Sequence, residues 1–425
     1  MIARQAVLAL GAALAAAGCA RGRPATTVSA AAGSVAPAAA APGPRVFTLR
    51  GEALERARSR VRAGDAQLKP ALDKLVDDAG KALRAPLVAV TDKKTLLAPS
   101  NDPHDYFSLS PYWWPDPSKP DGLPYVRRDG ETNPESKRDL DQPRVARLGA
   151  GVQTLALAYY FTGDEKYAAR AAEQVRAWFI DPATRMNPHL RYAQLVRGID
   201  KERGSGIIDT RWFIETVDAI GLLAGSRDWT AADQRAAEQW FAEYLRWLRT
   251  SPNGRSEHEA RNNHGSWYAA QIAAYALFVG DTGAAREIIA EVPKRIGWQI
   301  TPDGSQPIEL ERTRSMHYSG FNVEALSRLA EMGRLVGVDL WHYQAPEGGS
   351  LRRAIDHLAE YVGRQEQWQG QQIDEVETEL LLLPLRRAAT VYGPAPYAAA
   401  FARLPQQAVR ADRSALLYPE SVNGN

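Results

Sequence analysis

From about residue 50 onward, apolar side chains recur at helical spacing. Val152, Leu155, Ala156 and Tyr159 follow the i, i+3, i+4, i+7 pattern, as do Trp240, Tyr244 and Trp247, and again Ile272, Tyr275, Ala276 and Val279. Strand-like alternation is scarce, so the predicted class is all-α. Glycine punctuates the pattern. Tyr160-Phe161-Thr162-Gly163-Asp164 closes one helix with a residue suited to the left-handed position and opens the next with an acidic N-cap. Similar glycine turns stand at Gly225, Gly280, Gly337 and Gly393. Their spacing, roughly 55 to 62 residues, fits two helices and their connections. The spacing predicts at least five helical hairpins, wound either as an open solenoid or as an open or closed α/α toroid.

Three irregular stretches interrupt this order. Residues 99 to 144 contain Trp113-Trp114-Pro115-Asp116-Pro117 and Gly122-Leu123-Pro124, which no helix interior accommodates. Residues 181 to 209 form a second, with Asn187-Pro188-His189-Leu190-Arg191-Tyr192-Ala193-Gln194, and residues 299 to 318 a third. Long connections in a compact protein are where binding and catalysis concentrate.

The N-terminal end carries different information. After Arg4 comes an apolar run from Ala6 to Ala17, too short for a membrane span, followed by Gly18-Cys19. This predicts a signal peptide over residues 1–18 and lipidation at Cys19, hence a periplasmic or outer-membrane-anchored protein. Membrane contact is then expected only through that lipid. Cys19 is the single cysteine, which excludes an intrachain disulfide and a cysteine-rich metal site. Residues 19–44, rich in Ala and Pro, predict a flexible tether, leaving 45–425 as one domain. The net charge of +2 on 425 residues gives no support to nucleic-acid binding. Any attraction for an acidic polymer has to come from local clusters, and Arg127, Arg128, Arg191, Arg197, Lys201 and Arg203 in the irregular stretches are candidates.

Two segments carry candidate chemistry. Glu259-Ala260-Arg261-Asn262-Asn263-His264-Gly265-Ser266-Trp267-Tyr268 stands at a helix start, where the asparagines are also good caps. Some fifty positions on, Asp303 to Tyr318 brings two arginines, two glutamates, a histidine and a tyrosine. Together they supply what elimination across C4–C5 of a uronate requires. Removing the proton beside an ionised carboxylate builds a second negative charge, which donors or a cation must neutralise; Asn263 and Arg312 suit that role. A base must take H5 and an acid must protonate O4; His264 and Tyr318 suit those roles. Arg314 and His317 are rivals in the same crowded stretch. His258 and His264 are six apart and do not share a helix face, so no metal is expected.

Asn262-Asn263-His264-Gly265 with Trp267, then Asp303-Gly304-Ser305, Glu309-Leu310, Arg312 and Tyr318, resemble the alginate lyase family of polysaccharide lyases, as do Tyr112-Trp113-Trp114-Pro115-Asp116 and the Asn187–Gln194 stretch. The likeness spans about residues 90 to 345. It implies an incomplete (α/α) toroid, no cofactor and an acidic polysaccharide substrate: alginate, polymannuronate or β-glucuronan. It implies that Asn263 and Arg312 hold the substrate carboxylate, with His264 and Tyr318 beside the reacting carbon and Trp267 lining the sugar site. Gln194, Tyr192, Arg191, His317, Arg314, Trp113 and Trp114 are the further expected substrate contacts; of two adjacent tryptophans, one is expected to be structural. Two alternatives remain open. A glycoside hydrolase on this fold needs a carboxylate pair, for which Glu257, Glu259, Asp303, Glu309 and Glu311 are available, and a glycan-binding surface lipoprotein needs no catalytic group.

Overall fold

The computed structural model describes residues 43–422 apart from 96, 200, 377 and 378. The expected signal peptide, Cys19 and nearly all of the tether lie outside the described residues. Helices α1 (Gly51–Arg62) and α2 (Lys69–Arg84) precede a long connection holding β1 (Phe107–Leu109), β2 (Trp113–Trp114) and β3 (Val126–Arg127). Then follow α3 (Asp141–Thr162), α4 (Glu165–Val175), β4 (Tyr192–Leu195), α5 (Phe213–Leu222), α6 (Ala231–Thr250), α7 (Pro252–His258) and α8 (Asn263–Phe278). After these come α9 (Thr282–Ala290), α10 (Val292–Gln299), α11 (Pro307–Leu310), α12 (Ser315–Val336), α13 (Leu351–Tyr361) and α14 (Glu379–Tyr392).

The helices form two layers. α3 packs on α5, α5 on α8, α8 on α12 and α12 on α14, while α2, α4, α6, α9 and α13 pack outside them. This is an α/α toroid. The sequence explains who sits where. α8 is buried without a break from Gly265 to Phe278, as an inner helix must be. α13 buries only Leu351, Ala354, Ile355, Leu358 and Ala359, a single stripe suited to an outer position. The short helix Ser414–Leu417 packs against α1, α2 and α14, so the C-terminal end meets the N-terminal helices.

Gly163, Gly225, Gly280, Gly337 and Gly393 lie within a few residues of the C-terminal ends of the five inner helices α3, α5, α8, α12 and α14, all with φ between 73° and 89°. A Cβ would meet nothing within 4 Å at any of them. Backbone handedness, not space, therefore selects glycine there. The opposite, N-terminal ends of the inner helices come together elsewhere, and there the irregular stretches gather.

The third of those stretches is shorter than expected. Thr313 and Arg314 are held extended by Ile373 N donating to Thr313 O (3.0 Å) and by an Arg314–Gln372 bridge. The helix begins where that ladder ends, at Ser315, so His317 and Tyr318 stand on the first turn of α12 rather than on a loop. The first stretch forms two small sheets: β2 pairs antiparallel with β3, and β1 pairs parallel with β4. Phe107 faces Tyr192 and Leu109 faces Leu195, which leaves one extra residue on β4. No helix among the described residues is long and apolar enough to cross a membrane.

Candidate active site

A cavity of about 1360 Å³ opens where the N-terminal turns of the inner helices converge. Gln142 of α3, Glu215 of α5, His264 of α8, Tyr318 of α12 and Leu380 of α14 all line it. Helix N-termini carry partial positive charge and favour anions. The volume exceeds the ~300–1,000 Å³ of ordinary small-molecule sites, leaving room for several sugar rings.

α8 supplies Asn263 and His264. Asn262 caps the helix, its Oδ1 accepting from His264 N at 3.1 Å. Gln299 anchors the approach by donating to the carbonyls of Arg261 and Asn262. Gly265 is required for space: a Cβ there would stand 2.1 Å from the Ala260 carbonyl and 2.3 Å from the Arg295 guanidinium. Asn263 is fully buried. Its backbone N–H and its Nδ2 donate to the two oxygens of Glu309, at 2.6 and 2.8 Å. Burial pushes the Glu309 pKa up despite those two bonds. His264 places Nδ1 2.7 Å from Glu257 Oε1, on α7. Burial opposes charge on this imidazole, but the fields of Glu257 and Glu309 outweigh it and its pKa is raised.

The segment between α11 and α12 supplies Arg312, and α12 supplies Tyr318. The guanidinium donates through Nε and Nη2 to Asp129, on the loop after β3, with the shortest contact at 2.7 Å. Burial works against the Asp129 charge, yet Arg312 holds its pKa down to about 2. The same guanidinium lies 3.7 Å from the centre of the Tyr318 ring. Tyr318 Oη is 2.6 Å from Tyr112 Oη. Burial is the largest influence on Tyr318 and raises its pKa; Arg312 opposes the rise without cancelling it. The phenol is therefore protonated at neutral pH.

All four expected reacting groups line this one cavity, with Trp267, Gln194, His317, Arg314 and Trp113. The extra residue on β4 turns Gln194 to φ 50°, and its amide donates to Asp209 at 2.7 Å. His317 stacks on Phe321, and burial together with Arg314, Arg211 and Arg312 lowers its pKa to about 4. Three expected contacts are absent from the wall. Trp114 donates Nε1 to the Glu131 carbonyl under the Arg128 guanidinium, fastening the loop instead. Arg191 pairs with Glu202, and Tyr192 packs against Arg191 and His189. Of the six loop cations, Arg127, Lys201 and Arg203 reach the cavity; Arg197 is drawn off by Glu135 and Arg128 sits by Glu131.

Sequence reasoning passed over Asp129 and Arg211, named Tyr112 and Glu309 only within motifs, and took Glu257 and Glu309 as candidate hydrolase acids. Glu257 is engaged by the imidazole and Glu309 by the amide, while Asp303 caps its own turn through Thr301 and Ser305. The signal for Tyr112, Asp129 and Glu309 is weak because each meets a partner distant in the chain. Several wall residues also carry buried polar atoms without a partner among the described residues: Asn253 Nδ2, Ser205 Oγ, Trp212 Nε1, Glu215 Oε2, Asn263 Oδ1 and Trp267 Nε1. Such buried, unpaired polar atoms carry a desolvation cost. No group of three His, Cys, Asp or Glu among the described residues is placed to hold a metal.

A helical toroid with this groove defines the class, an α/α-toroid enzyme acting on polysaccharide. The comparisons with known proteins narrow it. The family described as Alginate lyase matches residues 89–368. The crystal structure of an alginate lyase from Bacteroides ovatus superimposes with a TM-score of 0.83 at 38% identity, over 88% of this chain and 99% of that one. Alginate lyase A1-III from Sphingomonas species A1 superimposes with a TM-score of 0.59 at 16% identity, over 88% of this chain and 96% of that one, a likeness of fold. A substituted form of that enzyme, complexed with a tetrasaccharide, gives 0.58 at 15% identity, over 89% and 96%. No curated protein matches the chain. The chain belongs to the alginate lyase family and is a polysaccharide lyase.

Proposed function

We propose that this lyase cleaves a 1,4-linked, β-configured polyuronate, of the mannuronan or glucuronan kind, leaving a 4,5-unsaturated uronate at the new non-reducing end. The observation that carries the reading is the convergence of Asn263, His264, Arg312 and Tyr318 on one cavity wall. The Bacteroides and Sphingomonas proteins, alginate lyases by description, support a uronate polymer as substrate.

In β-linked mannuronate or glucuronate, H5 and O4 lie on the same face of the ring. One group can then take the proton from C5 and return it to O4, and Tyr318 is that group. After the phenol has released its proton to solvent, the phenolate accepts H5; the electron pair moves into the C5–C4 bond as the C4–O4 bond breaks; the phenol then protonates O4 and is again phenolate. Arg312 under the ring favours the phenolate, while burial opposes it. The charge built on the carboxylate is met by Asn263 and by His264, whose raised pKa suits it to act as a cation. That same raised pKa disfavours His264 as the base for guluronate, where H5 and O4 lie on opposite faces.

The test is incubation with mannuronan, guluronan, glucuronan and hyaluronan while ultraviolet absorbance of the unsaturated product is followed. Absorbance rising on a β-linked homopolyuronate is expected. New reducing ends without that absorbance would make the protein a hydrolase, and intact polymer a binder. Tyr318→Phe should lower turnover about 10²- to 10⁴-fold; near-normal turnover rules out the phenol shuttle. Export with a lipid on Cys19 is part of the same proposal, and Cys19→Ser should move the protein from the membrane fraction to the soluble one.

A further inference from the structure

The cavity wall carries more positive charge than the reacting centre uses. Arg127 and Arg312 are held by Asp129, Arg314 by Asp374, and Arg328 by Glu215 and Glu324. Arg203 and Arg211 differ. Among the described residues, neither pairs with a carboxylate, and each lies instead against aromatic faces. The Arg203 guanidinium is 5.3 Å from the centre of Trp113. That of Arg211 is 4.8 Å from Trp212 and 5.1 Å from Phe321, with one long hydrogen bond to the Ile208 carbonyl at 3.4 Å.

Both are partly withdrawn from water, and desolvation lowers the pKa of both. A guanidinium so placed, with most of its N–H groups unused, costs free energy until an anion reaches it. The acids near Arg211 have other partners, although Glu215 Oε2 has none among the described residues. Asp209 accepts from Tyr106, Ser108 and Gln194. Glu215 belongs to a buried run of alternating charge, Arg387–Glu324–Arg328–Glu215, joined at 3.1, 2.7 and 2.5 Å. Two cations and two anions make that run neutral, and Arg211 makes no ion pair with it.

The reacting phenol is connected to each arginine through a different set of neighbours. One line of contacts leads from Tyr318 to His317 (5.3 Å between ring centres), from His317 to Phe321 (5.9 Å) and so to Arg211. The other leads from Tyr318 to Tyr112 (2.6 Å), to its chain neighbour Trp113, and so to Arg203.

We propose that Arg203 and Arg211 are carboxylate sockets for the two sugars flanking the one that undergoes elimination, so that the enzyme reads three consecutive uronates. This rests on the lyase reading above and extends it to substrate class. A homopolyuronate presents a carboxylate to both sockets, whereas a polymer in which uronate alternates with a neutral sugar presents one to neither. The planar guanidinium is well shaped for such a socket, because it can donate two hydrogen bonds to one carboxylate while its face rests on an aromatic ring.

The test compares wild type, Arg203→Gln and Arg211→Gln on a homopolyuronate and on the same polymer with part of its carboxylates reduced to alcohols. On the intact polymer each variant should raise KM about 10- to 100-fold, the worth of a charged hydrogen bond, with a smaller change in kcat. On the reduced polymer the gap between variant and wild type should shrink, because the flanking charge is gone for both. Thermal melts, with Arg203→Lys and Arg211→Lys recovering part of the affinity, separate a lost socket from a damaged fold. An unchanged KM, or a gap of equal size on both polymers, overturns the proposal and leaves the lyase reading standing. Wild type giving no unsaturated product from any homopolyuronate defeats both.

Discussion

Replacing Glu257 by Gln tests whether His264 works as a cation. The substitution keeps shape and a hydrogen-bond acceptor at the Nδ1 contact, now 2.7 Å, and removes only the charge. A hydrogen bond to a charged partner contributes about 1.5–3 kcal/mol where a neutral one gives about 1. If the imidazolium neutralises the developing carboxylate charge, losing the difference of about 0.5–2 kcal/mol should lower kcat about 2- to 30-fold. Stability gives an independent reading. Burial disfavours the charged ring, but Glu257 and Glu309 raise its pKa above the ordinary value. A raised imidazole pKa means stabilisation that is complete below the unfolded pKa of about 6.5 and is lost as pH rises through the folded one. Glu257→Gln should therefore melt well below wild type near about pH 6 and approach it near about pH 9. The assays are product absorbance under saturating polymer and thermal unfolding at the two pH values. A variant with wild-type kcat, or with the same melting gap at both pH values, would show that Glu257 merely fills space.

Other consequences follow from the same contacts. Asp129→Asn loosens the grip on Arg312 and Thr313, and should lower kcat/KM about 10- to 100-fold with a modest loss of stability, measured by product absorbance and melting. The rate should climb with pH as more of Tyr318 ionises while His264 keeps its proton, and level off once His264 loses it, because the Tyr318 pKa is raised and lies above that of the imidazole; a kcat independent of pH throughout contradicts the phenolate step. Gly265→Ala drives a methyl against the Ala260 carbonyl and should cost about 1–3 kcal/mol together with activity, because Asn263 and His264 sit on that turn. Gly163→Ala meets no atom, yet should cost about 1–2 kcal/mol through its φ of 73° while kinetics on the polymer stay as in wild type.

The amino-acid sequence by itself determined the helices, their pairing into hairpins and which side chains stand as candidate reacting groups. Helical periodicity is local, and so is the left-handed glycine that ends each inner helix, so both are visible without tertiary contacts. Asn263, His264, Arg312 and Tyr318 were legible because each segment packs several rare side chains into a few positions. The tertiary structure decided how those groups are set. Glu257 and Glu309 are ordinary acids in the chain, and only folding brings one to an imidazole and the other to an amide, which fixes their partners' charge and direction. Asp129 and Tyr112 come from a loop some two hundred positions before α12, a separation no pattern spans. The ends of the inner helices divide the same way. The glycine ends are written in single residues, whereas the catalytic ends exist only because five N-terminal turns meet around one cavity. Trp113 facing that cavity while Trp114 fastens its loop, and Arg211 left without an acid, depend on burial and neighbours, which the order of residues does not contain.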